Sequence, residues 1–180
     1  MFVALALASA CKSGPAAAPE ASPGEDATVY YPLAVGNSWT YEVAGRRETI
    51  QIIGRDGPWF IDDHRGRLRH ERDGVRDADR YLLRSPLSAG AKWSAVENLV
   101  VQHFEVVSTD ASAVTQAGTF THCAVVRNEQ PLAKGSKFVT DWTYAPRVGL
   151  VALVTRTVDA AGKSQDQTKL QLVAYHVADR

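Results

Sequence analysis

The chain reads as an all-β domain, a single antiparallel curved sheet of about ten strands forming a half-barrel or a closed barrel. Three observations predict this. Apolar and polar residues alternate with period two through most of the body. Short glycine-containing turns recur between the alternating runs. No stretch carries a helical apolar stripe bounded by caps.

The elements follow in order. Trp39-Thr-Tyr-Glu-Val43 sets Trp39, Tyr41 and Val43 on one face of a first strand. Ala44-Gly45 turns into a strand over Glu48–Gly54, and Asp56-Gly57 turns into another over Trp59–Asp62. Arg65-Gly66 and Asp73-Gly74 read as further turns, Asp-Gly because the favoured hairpin turn needs positive φ at both central residues. Asn98–Val107, Thr121–Val126, Phe138–Tyr144, Leu150–Val158 and Thr168–Val177 complete the strong strands. Asp62 to Arg80 is the most charged segment, with six Arg against six Asp or Glu, and reads as a solvated, edge-like hairpin that discourages edge-to-edge pairing.

One pattern occurs twice. Pro32-Leu33-x-x-Gly36-x-x-Trp39-Thr40 returns as Pro86-Leu87-x-x-Gly90-x-x-Trp93-Ser94, 54 residues later. Each copy offers a turn, a glycine for an unusual backbone angle, and a tryptophan opening a strand. The reading is a strand-entry device used twice, compatible with an old duplication.

Composition bounds the function. The chain has 180 residues, with Lys+Arg and Asp+Glu at 20 each, so it is neutral. That is enough chain for one domain with a real core. Nothing in the charge favours nucleic acid or a strongly anionic partner. Of the 2 cysteines, Cys123 has apolar neighbours Ala124, Val125 and Val126 and reads as a buried small hydrophobe.

The other cysteine, Cys11, follows the apolar run Met1-Phe-Val-Ala-Leu-Ala-Leu-Ala-Ser-Ala. That run has the length of a signal-peptide core and is too short to cross a bilayer. With Ser9 and Ala10 before the cysteine and a Pro/Ala/Ser/Gly-rich stretch after it, the segment resembles the end of a bacterial lipoprotein signal peptide. Ala8 stands where the family usually has Leu, with Leu7 one step earlier. No basic residue precedes the run, so the natural start is expected upstream of Met1. The resemblance implies cleavage after residues 1–10, acylation of Cys11, and a flexible tether over 11–28 that contains Pro15, Pro19 and Pro23. Each buried CH₂ of an acyl chain contributes roughly 0.8 kcal/mol, so several chains hold a protein on the membrane. Lys12, in place of the Asp that retains such proteins at the inner membrane, implies the outer membrane, facing the periplasm. The folded domain is then expected over 29–180.

Three motifs resemble a broad group of small bacterial envelope lipoproteins: Tyr31-Pro-Leu-Ala-Val-Gly-Asn-Ser-Trp-Thr-Tyr41, Ala117-Gly-Thr-Phe-Thr-His-Cys123 and Trp142-Thr-Tyr-Ala-Pro-Arg-Val-Gly-Leu-Val151. In architecture alone the chain is also similar to the half-barrel carriers that move acyl chains through the periplasm. Fold likeness does not transfer function.

The residues argue against catalysis. There is no GxSxG elbow, no HExxH and no phosphate-cradling loop. Asp62-Asp63-His64 with His70 holds zinc-ligand types, but neighbours on a strand point to opposite faces, so Asp63 and His64 do not converge. His122 beside Cys123 has the same difficulty. His103 and His176 read as core-edge residues. No catalytic residue, metal or cofactor is expected.

The better lead is aromatic: Trp39, Tyr41, Trp59, Trp93, Phe138, Trp142 and Tyr144. Alternation puts Phe138, Trp142 and Tyr144 on one face with Thr140 between them. That face either lines a concave pocket for an acyl chain or similar apolar ligand, or fills a packed core. Two functions follow: a non-enzymatic membrane-anchored lipoprotein that binds an apolar ligand, or an envelope interaction module that docks a protein complex through a sheet edge or patch. A filled core with an exposed apolar patch favours the second.

Overall fold

The computed structural model describes residues 24–178. Twelve antiparallel strands form one sheet: β1 (Ser38–Val43), β2 (Arg46–Asp56), β3 (Trp59–Asp62), β4 (Arg67–Glu71), β5 (Gly74–Arg76), β6 (Tyr81–Arg84), β7 (Lys92–Glu97), β8 (Val100–Thr115), β9 (Gly118–Pro131), β10 (Lys137–Ala145), β11 (Gly149–Val158) and β12 (Ser164–His176). The expected class holds, with two strands more than the expected ten. The additional ones lie in the charged segment and beside it, where β4, β5 and β6 have only 5, 3 and 4 residues, too few for a period-two pattern to stand out.

Each strand pairs with its neighbours in sequence except β6 and β7, and β12 pairs with β1, giving the order β6-β5-β4-β3-β2-β1-β12-β11-β10-β9-β8-β7. The two edges, β6 and β7, are therefore consecutive in the chain, and the sheet is a nearly closed barrel with its seam between them. Side chains bridge that seam. Trp93 Nε1 donates to the Tyr81 carbonyl at 3.1 Å, and Arg80 pairs with Glu97 at 3.0 Å. Arg80 also lies over the rings of Phe104 and Trp142, a cation–π arrangement that shields the aromatic face there.

The N-terminal segment belongs to the fold earlier than position 29. Glu25 bridges to Leu87, a 3-10 turn spans Ala27–Tyr30, and Ala27 and Tyr30 are fully buried. The Tyr30 hydroxyl donates to Glu25 at 2.5 Å. The expected signal segment and Cys11 lie outside the described residues.

Turn positions match with two corrections. The Asp56-Gly57 hairpin loops through Gly57–Pro58, so Asp56 ends β2 and only Gly57 takes positive φ. At Asp73-Gly74 the glycine already opens β5 and the turn falls one residue earlier. At Asn98 the expected strand begins two residues later, because Asn98 and Leu99 form a turn at φ 49° and 65°.

The repeated pattern is a repeated structure. Gly36 and Gly90 sit at φ 97° and 86°. Asn37 N–H donates to Ala34 and Ala91 N–H to Ser88, at 3.1 and 3.0 Å. Gly36 N–H donates to the Ile52 carbonyl at 2.8 Å, and Gly90 N–H to the Val106 carbonyl at 2.7 Å. Ile52 and Val106 return the bond to Asn37 and Ala91, both at 2.9 Å. Every partner is displaced by the same interval as the tryptophans. The two hairpins that follow, β1–β2 and β7–β8, also match, with Val43 opposite Arg46 and Glu97 opposite Val100.

Candidate functional site

Five of the seven aromatic candidates, Trp39, Tyr41, Trp93, Trp142 and Tyr144, belong to or pack against the buried core. Trp39 is 2% exposed, and its Nε1 donates to the Val148 carbonyl at 2.6 Å. The Tyr41 hydroxyl donates to Leu150 O at 3.1 Å. Tyr31 bridges Trp39 and Tyr144, with ring centroids 5.7 and 6.1 Å away. Trp93 stacks on Phe104 at 5.7 Å, and Phe104 meets Trp142 at 6.0 Å. Burial raises the phenol pKa of Tyr31, Tyr41 and Tyr144, so all three stay neutral. Phe138, Trp142 and Tyr144 share a face as the alternation requires; Thr140 between them is buried. Beside Phe138 the same face turns polar: Gln130 donates to Gln102 and Asn128, at 2.8 and 3.2 Å.

The principal hollows lie at the surface. One of about 620 Å³ is bordered by Lys92, Trp93, His103, Phe104 and Arg127. One of about 570 Å³ lies among Val29, Pro32, Arg147, Val148, Tyr175 and Val177. A third, of about 460 Å³, is lined by Glu25, Asp26, Arg72, Asp73 and Arg84. Of the seven aromatic candidates only Trp93 borders any of the three.

The polar candidates have structural partners. Asp62 Oδ1 accepts from the backbone of His64 and Gly66, at 2.9 and 2.6 Å, and so builds the β3–β4 turn. Asp63 accepts from Gln51 N–H at 2.9 Å. His70 Nε2 lies 2.8 Å from Tyr31 O. No His/Cys/Asp/Glu group among the described residues has the geometry of a metal site. His122, in a bulge at φ 53°, pairs with Asp110 at 2.8 Å in open solvent. Cys123 beside it is buried, and burial pushes its thiol pKa up, away from reactivity. His103 and His176 face solvent and are not core-edge residues; His103 Nδ1 lies 2.9 Å from Ser94 Oγ.

One surface escaped the sequence reading. Trp59, which like Phe138 lies outside the core cluster, is on the outer face of β3 under the guanidinium groups of Arg67 and Arg69. Three strands on, in β6, Tyr81 lies under Arg76 and Arg84. Register explains the grouping. Ile61 pairs with Arg67, Arg69 with Arg76, and Gly74 with Arg84, so these arginines line one face while Leu68, Val75 and Leu83 face the core. Asp56 and Glu71 pair with Arg67 and Arg69, yet Arg69 Nε remains buried without a hydrogen-bond partner. The signal was present as alternation within the charged segment, but short strands of unknown register hide which charges are neighbours.

No family model matches this chain, and no curated protein matches it. Two solved structures are similar. One is a candidate lipoprotein from Parabacteroides distasonis, 12% identical, covering 84% of this chain and 100% of that one with a TM-score of 0.43. The other is a candidate exported protein with a YmcC-like fold from Bacteroides fragilis, 12% identical, covering 87% of this chain and 98% of that one with a TM-score of 0.41. Likeness of this size carries neither ancestry nor activity.

Proposed function

We propose that the protein is a non-enzymatic envelope lipoprotein, anchored through acylated Cys11, whose folded domain acts as an interaction module. The observation that carries this choice is the packed interior. The tryptophans and tyrosines that would have to stand clear of a ligand are stacked on one another and hydrogen-bonded to the backbone. The recognising surface is then external. The Arg–Trp–Tyr face of β3–β6 has the residue types that dominate protein–protein hot spots, and the half-buried arginines there are already held in place by the rings beneath them.

Native mass spectrometry of residues 24–180, purified without detergent, tests the choice between module and carrier. The expected result is the bare chain mass, unchanged by added lipid. A co-purifying apolar molecule would restore the ligand-binding reading. The anchor is tested separately by the mass of the mature N-terminal peptide, which should carry acyl chains on Cys11 and lose them in Cys11→Ser. The docking face is tested by cross-linking in cells, where Trp59→Ala with Arg69→Ala should abolish a discrete complex formed by the native chain.

A further inference from the structure

The two matched hairpins differ at their tips. In β1–β2 the turn is Ala44-Gly45, at φ 49° and 75°, and the flanking cross-strand pair is Glu42–Arg47, closed at 3.1 Å. Arg47 also donates to Gln116 at 2.9 Å, so tertiary contacts hold that tip. In β7–β8 the equivalent turn is Asn98-Leu99 and the equivalent pair is Val96–Val101. Leu99 occupies the place of Gly45, at φ 65°, where a side chain is disfavoured. It is nevertheless 98% exposed, and Val96, Val100 and Val101 are each more than half exposed. The disfavoured φ of Leu99 and the aliphatic exposure fall on the same tip, 96–101, in a hairpin whose twin has glycine at that position and an ion pair across the strands.

The apolar surface continues onto the next strand. Extending the β8–β9 register from Phe104 opposite Asn128 brings Val101 beside Pro131 and Val100 beside Leu132, itself 45% exposed. Lys134 follows in the same loop. Gly135 adjoins Ala160, since a Cβ there would lie 3.5 Å from that of Ala160, and this brings the turn bearing Lys163 alongside. In that turn the Asp159 carboxylate is engaged by the backbone N–H of Ala161 and Lys163, at 2.9 and 2.8 Å.

We propose that this end of the sheet, the β7–β8 tip with Leu132, inserts into a phospholipid bilayer surface, with Lys134 and Lys163 among anionic headgroups. Aliphatic side chains ringed by lysine suit a lipid interface. The tip has no aromatic or arginine anchor of the kind that protein hot spots use. The chain also allows the contact. Gly24 lies against Leu87, and from there to Leu99 is at most about 40 Å at strand rise. Residues 11–23 can span up to roughly 45 Å, so the tip can reach the leaflet that holds Cys11. This reach rests on the lipoprotein reading proposed above; insertion itself does not.

The test is flotation of the full chain carrying Cys11→Ser with vesicles of phosphatidylethanolamine and phosphatidylglycerol, and with phosphatidylcholine alone. The expected result is binding to both, stronger on the anionic vesicles. Leu99→Asp with Val101→Asp should lower it about tenfold or more. Leu99→Gly, which reproduces the first hairpin's turn, should lower binding several-fold without lowering the melting temperature, so loss of binding is separable from loss of fold. Val35→Asp, at an exposed valine in a different loop, should leave binding unchanged. The proposal is overturned by absence of flotation, by flotation that ignores Leu99→Gly and the double Asp variant, by flotation lost only with Lys134→Glu or salt, or by a dimer that Leu99→Asp dissolves in place of vesicle binding. Because acylation is read from the N-terminal peptide, a failure here leaves the anchor standing, and a failure there leaves this result standing.

Discussion

Gly45 and Leu99 hold the same place in two hairpins built alike, and they show what a turn tolerates and what it prefers. The first hairpin has glycine at the second of its two positive-φ positions, an ion pair across the strands and a glutamine bracing the arginine. The second has leucine in place of that glycine and valines in place of that ion pair, and presents them to water. Below the tips the two agree closely. Trp39 and Trp93 both enter their strands behind a glycine, and each donates its indole N–H to a carbonyl on a distant segment. What was held common is therefore the packing device, and what changed is the solvent-facing end.

The largest expected effect tests that shared device. Trp39→Ala should cost about 3–5 kcal/mol in urea unfolding, as for other buried aromatic truncations. Trp93→Ala should cost less, about 2–4 kcal/mol, because Trp93 sits at the seam between two edge strands. Equal costs would mean that the seam is packed as tightly as the closed wall. Trp142→Ala, half-buried beneath Arg80, should also cost several kcal/mol, on the order of 3.

Next come the glycines of the device. A Cβ at Gly36 or Gly90 meets nothing within 4 Å, so substitution by alanine tests the backbone alone. Each should cost about 1–2 kcal/mol by thermal unfolding. Unequal costs would separate the two copies. The tips come third: Gly45→Leu should destabilise by about 1 kcal/mol, and Leu99→Gly should be neutral or stabilising by up to about 1 kcal/mol. A destabilising Leu99→Gly would mean that the leucine packs against the fold and is not a surface group.

The smallest effect concerns acid. In the β7–β12 half, burial raises the Asp141 pKa, but hydrogen bonds from Arg127 and Arg156 at 2.7, 2.9 and 2.6 Å outweigh it and hold it below the ordinary value. In the β1–β6 half, the Tyr81 hydroxyl, with help from Arg69 and Arg76, lowers Glu71 against a smaller burial cost. Both folded values lie below the unfolded ones. Each carboxylate therefore contributes stability above its unfolded pKa and loses it as pH falls through the folded one, below about pH 4. Asp141→Asn should flatten the acid limb of a stability–pH curve more than Glu71→Gln does, since Asp141 is the more buried of the two. A larger effect at Glu71 would place the acid-sensitive region in the arginine face.

Some of this molecule was written plainly in its chain. Period two and the turn glycines determined an antiparallel β domain, because a side-chain alternation of 180° per residue has no other folded use. The double Pro-Leu-x-x-Gly-x-x-Trp pattern determined the strand-entry device, since its turn, glycine and indole are local in sequence. Tertiary structure decided the rest. The register among short strands β3 to β6 brought Trp59, Tyr81 and their arginines onto one face, and slipping any pair by one residue would have reversed that face. The seam fell between β6 and β7 because β12 pairs with β1. The aromatic face became packed core because barrel closure stacked rings from distant strands, and curvature of that kind is a property of the whole sheet, which no single strand encodes.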